Sequence, residues 1–191
     1  MTRIILASAS PRRKLLLEQL IGDGFQALTS SYAEETKEEM SPEELVTYHS
    51  IGKARDVARH FKDCIVISAD TVVVCGEEIM GKPENENMAR KMLHKISGQR
   101  IQAITGVTVM DSGNNRELSE YESTDVWIKT LSEEDIESYI SSGEPFGKAG
   151  AFAIQGKGAR FVAHIEGNLS NVVGLPLPRL ERMLKELDLE V

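Results

Sequence analysis

The chain has 191 residues, 41% hydrophobic and 27% charged, with 22 Lys and Arg against 30 Asp and Glu and a formal net charge of -8. That length suits one domain over residues 1–191, or two closely joined lobes, and the acidic balance excludes a general nucleic-acid partner, which needs a basic face. No apolar stretch is long enough to span a bilayer, the first residues lack a signal-peptide pattern, and Cys64 and Cys75 show neither metal-ligand nor redox spacing, so the chain reads as cytoplasmic with two small buried thiols.

Residues 4–7 predict a short buried strand, and Ser8-Ala9-Ser10-Pro11-Arg12-Arg13-Lys14 leads from it into a helix over 11–20. Ser10 suits the N-cap and Pro11 the first helical position, where its missing N–H costs nothing. Leu15, Leu16, Leu17 and Leu20 give the helix an apolar face. A helix start presents unpaired N–H groups and the positive end of the dipole, which favour an anion. Arg12 and Arg13 in the first turn are therefore locally unfavourable unless a polyanion lies between them and the helix. The alternative is a pair of solvated arginines.

Residues 25–28 predict a weak strand, and Thr29-Ser30-Ser31-Tyr32-Ala33-Glu34-Glu35-Thr36 supplies two adjacent carboxylates after it. Ser41-Pro42-Glu43-Glu44 opens a helix over 42–61. Lys53, in Ile51-Gly52-Lys53-Ala54, lies near the apolar stripe of that helix, where a lysine can simply snorkel. Strands follow at 64–69 and 71–75, with Asp70 between them. A carboxylate inside an apolar run is expensive to bury unless something pairs with it: a metal ion, a nearby lysine, or backbone donors where the strand breaks. A structural aspartate capping a bulge is the bland alternative.

Gly81-Lys82-Pro83 presents a lysine from a constrained loop. A helix over 85–95, strands at 101–110 and 120–130 joined by the hairpin turn Ser112-Gly113-Asn114-Asn115, and a helix over 133–141 come next. Residues 142–156 hold four glycines together with Lys148, which can meet phosphate, and Gln155, whose amide pairs a donor with an acceptor for a base edge. A strand at 160–164 and a helix over 176–187 close the chain. Neither G-x-x-x-x-G-K-[ST] nor G-x-G-x-x-G occurs, and His49, His60, His94 and His164 have no metal-binding spacing. The alternation of strand and helix followed by a hairpin predicts an α/β fold: a mixed twisted sheet flanked by helices, in two lobes around a central cleft.

In order along nearly the whole chain, Leu6-Ala7-Ser8-Ala9-Ser10-Pro11-Arg12-Arg13, Glu34-Glu35-Thr36, Lys53-Ala54, Ala69-Asp70-Thr71, Gly81-Lys82-Pro83, Ser97-Gly98, Thr105-Gly106-Val107, Lys148-Ala149-Gly150-Ala151-Phe152, Ile154-Gln155-Gly156 and Asn171-Val172-Val173-Gly174-Leu175-Pro176-Leu177 resemble the Maf family of nucleoside triphosphate pyrophosphatases. The resemblance implies a homodimer that hydrolyses a nucleoside triphosphate between the α- and β-phosphates with a divalent cation such as Mg2+ or Mn2+. It implies that Asp70 is the general base, that Asp70 and Glu35 form the metal site, and that Lys53 and Lys82 assist catalysis at the phosphates. Ser8, Ser10, Arg13 and Lys148 are the expected substrate contacts. Arg12, Thr71 and Gln155 fit the pattern of the dTTP/UTP subgroup and are the expected specificity residues. Glu34 in place of the usual aspartate and Phe152-Ala153 in place of Tyr-Gly depart from the family pattern. Two rival functions stand beside this one: a nucleotide-binding regulator of cell division, and a pyrophosphatase selective for another base such as 7-methyl-GTP or ITP.

Overall fold

The fold is described from a computed structural model covering residues 3–35 and 39–188. Thr36, part of one motif above, lies outside the described residues. The described residues form β1 (Arg3–Ala7), α1 (Pro11–Ile21), β2 (Phe25–Leu28), α2 (Pro42–Ala58), β3 (Cys64–Cys75), β4 (Glu78–Met80), α3 (Glu86–Ile96), β5 (Arg100–Asp111), β6 (Arg116–Ile128), α4 (Glu133–Ser141), β7 (Val162–Glu166), α5 (Leu169–Val173) and α6 (Leu177–Glu186). The strands join one sheet in the order β2-β1-β3-β5-β6-β7, with β4 on β3. It is mixed, as expected: β1 pairs parallel with β2 and β3, while β4 on β3 and β7 on β6 are antiparallel.

The helix starts carry their signals. Ser10, Ser41, Asn85 and Ser132 each cap a helix by accepting an N–H of its first turn, and Ser41 with Glu44 and Ser132 with Asp135 form capping boxes. The helix α2 ends at Ala58 and not at the expected residue 61: His60 N and Phe61 N donate back to the Val57 and Ala58 carbonyls in tighter turns, and Asp63, at φ 52, follows before β3. The hairpin turn at 112–115 is present, with Asn115 at φ 51 and the Asp111 carboxylate accepting from Gly113 N, Asn114 N and Asn114 Nδ2. Cys64 and Cys75 are buried free thiols. Beyond small shifts of element ends, three features differ from expectation, the short helix α5 among them. β4 was not foreseen, and a 3-10 turn over Gly156–Phe161 precedes β7, which pushes that strand to Val162–Glu166.

The chain divides into two compact units. Unit 1 holds β1, α1, β2, α2, β3 as far as Asp70, the middle of the β5–β6 hairpin, and α6. Its core includes Ile5, Ala7, Ala54, Val57, Ala58, Cys64 and Val66, with Leu28, Phe61 and Met110 packed against them. Here α2 lies directly on β5. A Cβ added to Gly106 would stand 2.3 Å from the Val46 carbonyl oxygen, so the strand touches the helix backbone at that point. Unit 2 holds the remainder of β3 with β4, α3, α4, β7 and α5. Within it α3 packs against α4, Arg90 clasps Glu137 through Nε at 2.5 Å and Nη2 at 2.9 Å, and buried Tyr139 meets Phe161 edge-on at 5.1 Å.

Candidate active site

In unit 1, Asp70 lies in a strand covered on both faces and is 7% exposed. Lys53 reaches it from α2, with Nζ 2.6 Å from Asp70 Oδ1 and 2.6 Å from Glu34 Oε1. One ammonium thus bridges a buried carboxylate and a half-exposed one. Of the three partners expected for Asp70, the lysine is present. Because the charge is met, β3 runs unbroken from Cys64 to Cys75 instead of as two strands around Asp70. Lys53 is accordingly not a snorkelling side chain: its ammonium points into the site and only 13% of the side chain is exposed.

A neutral contact runs parallel to this charged one. Ser68, two residues before Asp70 and so on the same strand face, donates from Oγ to the Ser50 carbonyl at 2.6 Å, and Ser50 lies one helical turn before Lys53. The Ser50 and Thr108 hydroxyls are 2.7 Å apart, and those of Thr108 and Ser119 are 3.0 Å apart. Buried hydroxyls that are all paired define the register between helix and strand.

Arg13 is drawn inward from the first turn of α1. Its Nε donates to the Gly174 carbonyl at 2.7 Å and its Nη1 to the Ala69 carbonyl at 2.8 Å. Nε and Nη1 therefore serve backbone carbonyls, one belonging to the residue before Asp70. Burial draws its pKa below the ordinary arginine value, against the opposing pull of Asp70. The loop before the helix is closed by Ser8, whose Oγ accepts from Ser10 N at 3.2 Å, and by Ser10, whose Oγ accepts from Arg13 N at 3.4 Å. Arg12 is half-buried in the same turn.

The acidic segment lies along α2. The Asp56 carboxylate accepts from Ser30 Oγ at 2.8 Å, Ser31 N at 2.7 Å and Ser31 Oγ at 3.0 Å, and the Ser30 hydroxyl, foremost among these contacts, holds the Asp56 carboxyl below its usual range. Tyr32 Oη lies 3.2 Å from His49 Nδ1, and its ring covers Gly52: a Cβ there would stand 2.3 Å from Tyr32 Cε2. Burial, aided by Tyr48 and the nearby Glu35 and Glu34 charges, pushes the Tyr32 phenol up to about 12. Glycine inside a helix costs about 1 kcal/mol relative to alanine, so Gly52 is disfavoured by α2 itself and accommodated by the ring. Sequence reasoning passed over Tyr32 and the glycine. Glu34, next to the expected Glu35, was not singled out, yet it meets Lys53; adjacent residues of one type give no spacing signal to separate them.

The oxygen donors here suit a hard cation. Among the described residues no group of three or more His, Cys, Asp and Glu side chains gathers to hold a metal. A site with one or two carboxylates fits Mg2+ or Mn2+, which take their other ligands from water and polyphosphate.

Unit 2 carries the remaining expected residues. Gly150 N donates to the Gly81 carbonyl at 2.9 Å, which ties the Lys82 loop to the Lys148 loop. Gly150, at φ 67, packs on Val73, and a Cβ there would lie 3.0 Å from the valine Cγ1. Lys82 is exposed, while Lys148 is half-buried with Nζ 3.3 Å from the Phe146 carbonyl. Gln155 is exposed at the head of the 3-10 turn, its side chain not engaged in capping, beside a loop held by Glu144, which accepts from Lys157 N at 2.9 Å. Thr71 is half-buried in β3.

A family model described as Maf-like protein matches residues 3–187. A dTTP/UTP pyrophosphatase from Methanosarcina mazei is 53% identical over 191 residues, covering 100% of this chain and 97% of that protein. One from Bacillus cereus is 44% identical, covering 100% of this chain and 98% of its own length. Among solved structures, a HAM1 protein from Coxiella burnetii superposes with a TM-score of 0.53 at 18% identity over 97% of this chain and 100% of that one, a likeness of fold. The match of the family model over almost the full length, with full-length relatives at this identity, settles the assignment: the chain belongs to the Maf family.

Proposed function

We propose that this protein hydrolyses dTTP and UTP at the α–β phosphate bond, releasing the nucleoside monophosphate and pyrophosphate, and that it does so as a cytoplasmic homodimer of one Maf-like domain. The observation that carries this reading is Asp70, a carboxylate 7% exposed in β3 and held by Lys53 at 2.6 Å. The names of the full-length relatives supply the substrate class.

Asp70 accepts the proton of the attacking water, a contribution on the order of 10²–10⁴ in rate for a positioned general base. Lys53 holds the Asp70 carboxylate in one orientation through a charge-assisted hydrogen bond. Asp70 and Glu35, with Glu34 beside them, are the residues that would hold a divalent cation, which when bound neutralises phosphate charge. Lys82, Lys148 and the Arg13 guanidinium charge offset the polyphosphate, and Ser8 and Ser10 shape the turn that receives it. Gln155, with Arg12 and Thr71, reads the base.

The test is a panel of triphosphates with Mg2+ or Mn2+, including dTTP, UTP, ITP, XTP and 7-methyl-GTP, assayed for pyrophosphate. Pyrophosphate release fastest on dTTP and UTP is expected. Release of orthophosphate rejects α–β cleavage, and a preference for ITP or 7-methyl-GTP rejects the pyrimidine assignment.

A further inference from the structure

Segment 30–35 has no strand or helix of its own, yet it is fastened to α2 along one face of that helix. Asp56 takes three bonds from Ser30 and Ser31, Gly52 lies under the Tyr32 ring, and His49 meets the Tyr32 hydroxyl. Residues 49, 52, 53 and 56 are spaced three and four apart, so all of them face the segment along successive turns. The one helix residue that must lack a side chain for the segment to lie flat is Gly52, directly before Lys53. We propose that Tyr32 and Gly52 are a positioning pair, the ring seated on the bare helix backbone fixing segment 30–35 so that Glu34 meets Lys53 and Glu35 is carried to the site.

The inference rests on the hydrolase reading, and it accounts for a residue that helix formation disfavours. A methyl group at position 52 fits the helix but not the ring. Alanine should therefore lift the segment without harming the helix beneath it. A glycine needed only for folding would behave in the opposite way, with activity following stability.

Four variants test this: Gly52→Ala, Tyr32→Ala, the double variant, and Tyr32→Phe, which keeps the ring. Each is measured for kcat and KM on dTTP, for thermal midpoint, and for amide exchange, the last without metal or substrate. Because displacing a catalytic group by about 1 Å can lower turnover by up to ~100-fold, Gly52→Ala is expected to reduce kcat at least tenfold, with KM within about threefold. Its midpoint should equal or exceed that of the parent, as helix propensity predicts. Exchange at the Ser31 and Tyr32 amides should accelerate while α2 stays protected. The double variant should be no worse than either single one, and Tyr32→Phe should stay within about threefold of the parent, since contacting residues are not additive. Gly52→Ala with parental kcat, or with lost protection across α2, overturns the pair. A parent protein that releases no pyrophosphate overturns the hydrolase reading instead, and the exchange data then still decide whether Tyr32 and Gly52 fasten the segment.

Discussion

The residues assigned to chemistry in unit 1 and those assigned to it in unit 2 are built in contrasting ways. Asp70, Lys53 and Arg13 sit on a strand and two helices, each engaged at 2.6–2.8 Å by another part of the unit. Lys82 and Gln155 stand exposed on loops that are themselves held by backbone and Glu144 contacts. A proton acceptor must keep one orientation, and packed elements supply that. Groups that meet a flexible polyphosphate and a base gain from mobile side chains on a fixed loop. The difference implies that substituting the packed Lys53 or Arg13 disturbs stability and turnover together, whereas substituting the exposed Lys82 or Gln155 disturbs turnover alone.

The largest effect that could break this contrast is expected from Asp70→Asn. It should lower kcat on dTTP by on the order of 10²–10⁴ while substrate still binds, as isothermal calorimetry can show. Retained turnover would remove Asp70 from the mechanism. Next, Gln155→Glu should weaken kcat/KM for UTP and dTTP by about 1–3 kcal/mol of transition-state binding, since an acceptor replaces an amide that both donates and accepts. Steady-state kinetics should show a smaller loss on 7-methyl-GTP, and equal losses on all three substrates would sink the base-reading role. Arg13→Ala and Lys82→Ala separate the two units most directly. Both should slow every triphosphate alike, but only the first leaves the Gly174 and Ala69 carbonyls without their donor, at about 2 kcal/mol in urea unfolding. A loss of similar size for Lys82→Ala would erase the distinction.

The smallest effect concerns acid. The Asp56 carboxyl is held below its ordinary value, so its bonds to Ser30 and Ser31 contribute above the unfolded pKa, near 3.9, and are lost as pH falls through the lower folded one. Amide exchange at Ser31, corrected for its intrinsic pH dependence, should therefore rise only below about pH 4. In Asp56→Asn that step should vanish.

Much of the fold was legible because its signals are local. The Ser10-Pro11 and Ser41-Pro42 starts, the turn at 112–115 and the apolar strands each depend on neighbours in sequence. β4 escaped notice because three residues, Glu78, Ile79 and Met80, are too few for a pattern, and their strand character comes from pairing with Val73–Cys75. At the site, Asp70 announced itself by its apolar surroundings, and a lysine was among its foreseeable partners. That the lysine is Lys53, 17 residues away, depends on the placing of α2 against β3. The carbonyls that hold Arg13 and the ring that covers Gly52 left no trace in residue type, since backbone acceptors are everywhere and a mid-helix glycine has many explanations.

The contact between Gly106 and the Val46 carbonyl sets a limit on how this scaffold can diverge. An exposed position such as 155 can change with little effect on anything but its own loop side chain. At position 106 even the smallest added side chain pries the helix bearing Lys53 from the sheet. Side chains on the loops can therefore change without disturbing the scaffold, while position 106 accepts glycine alone.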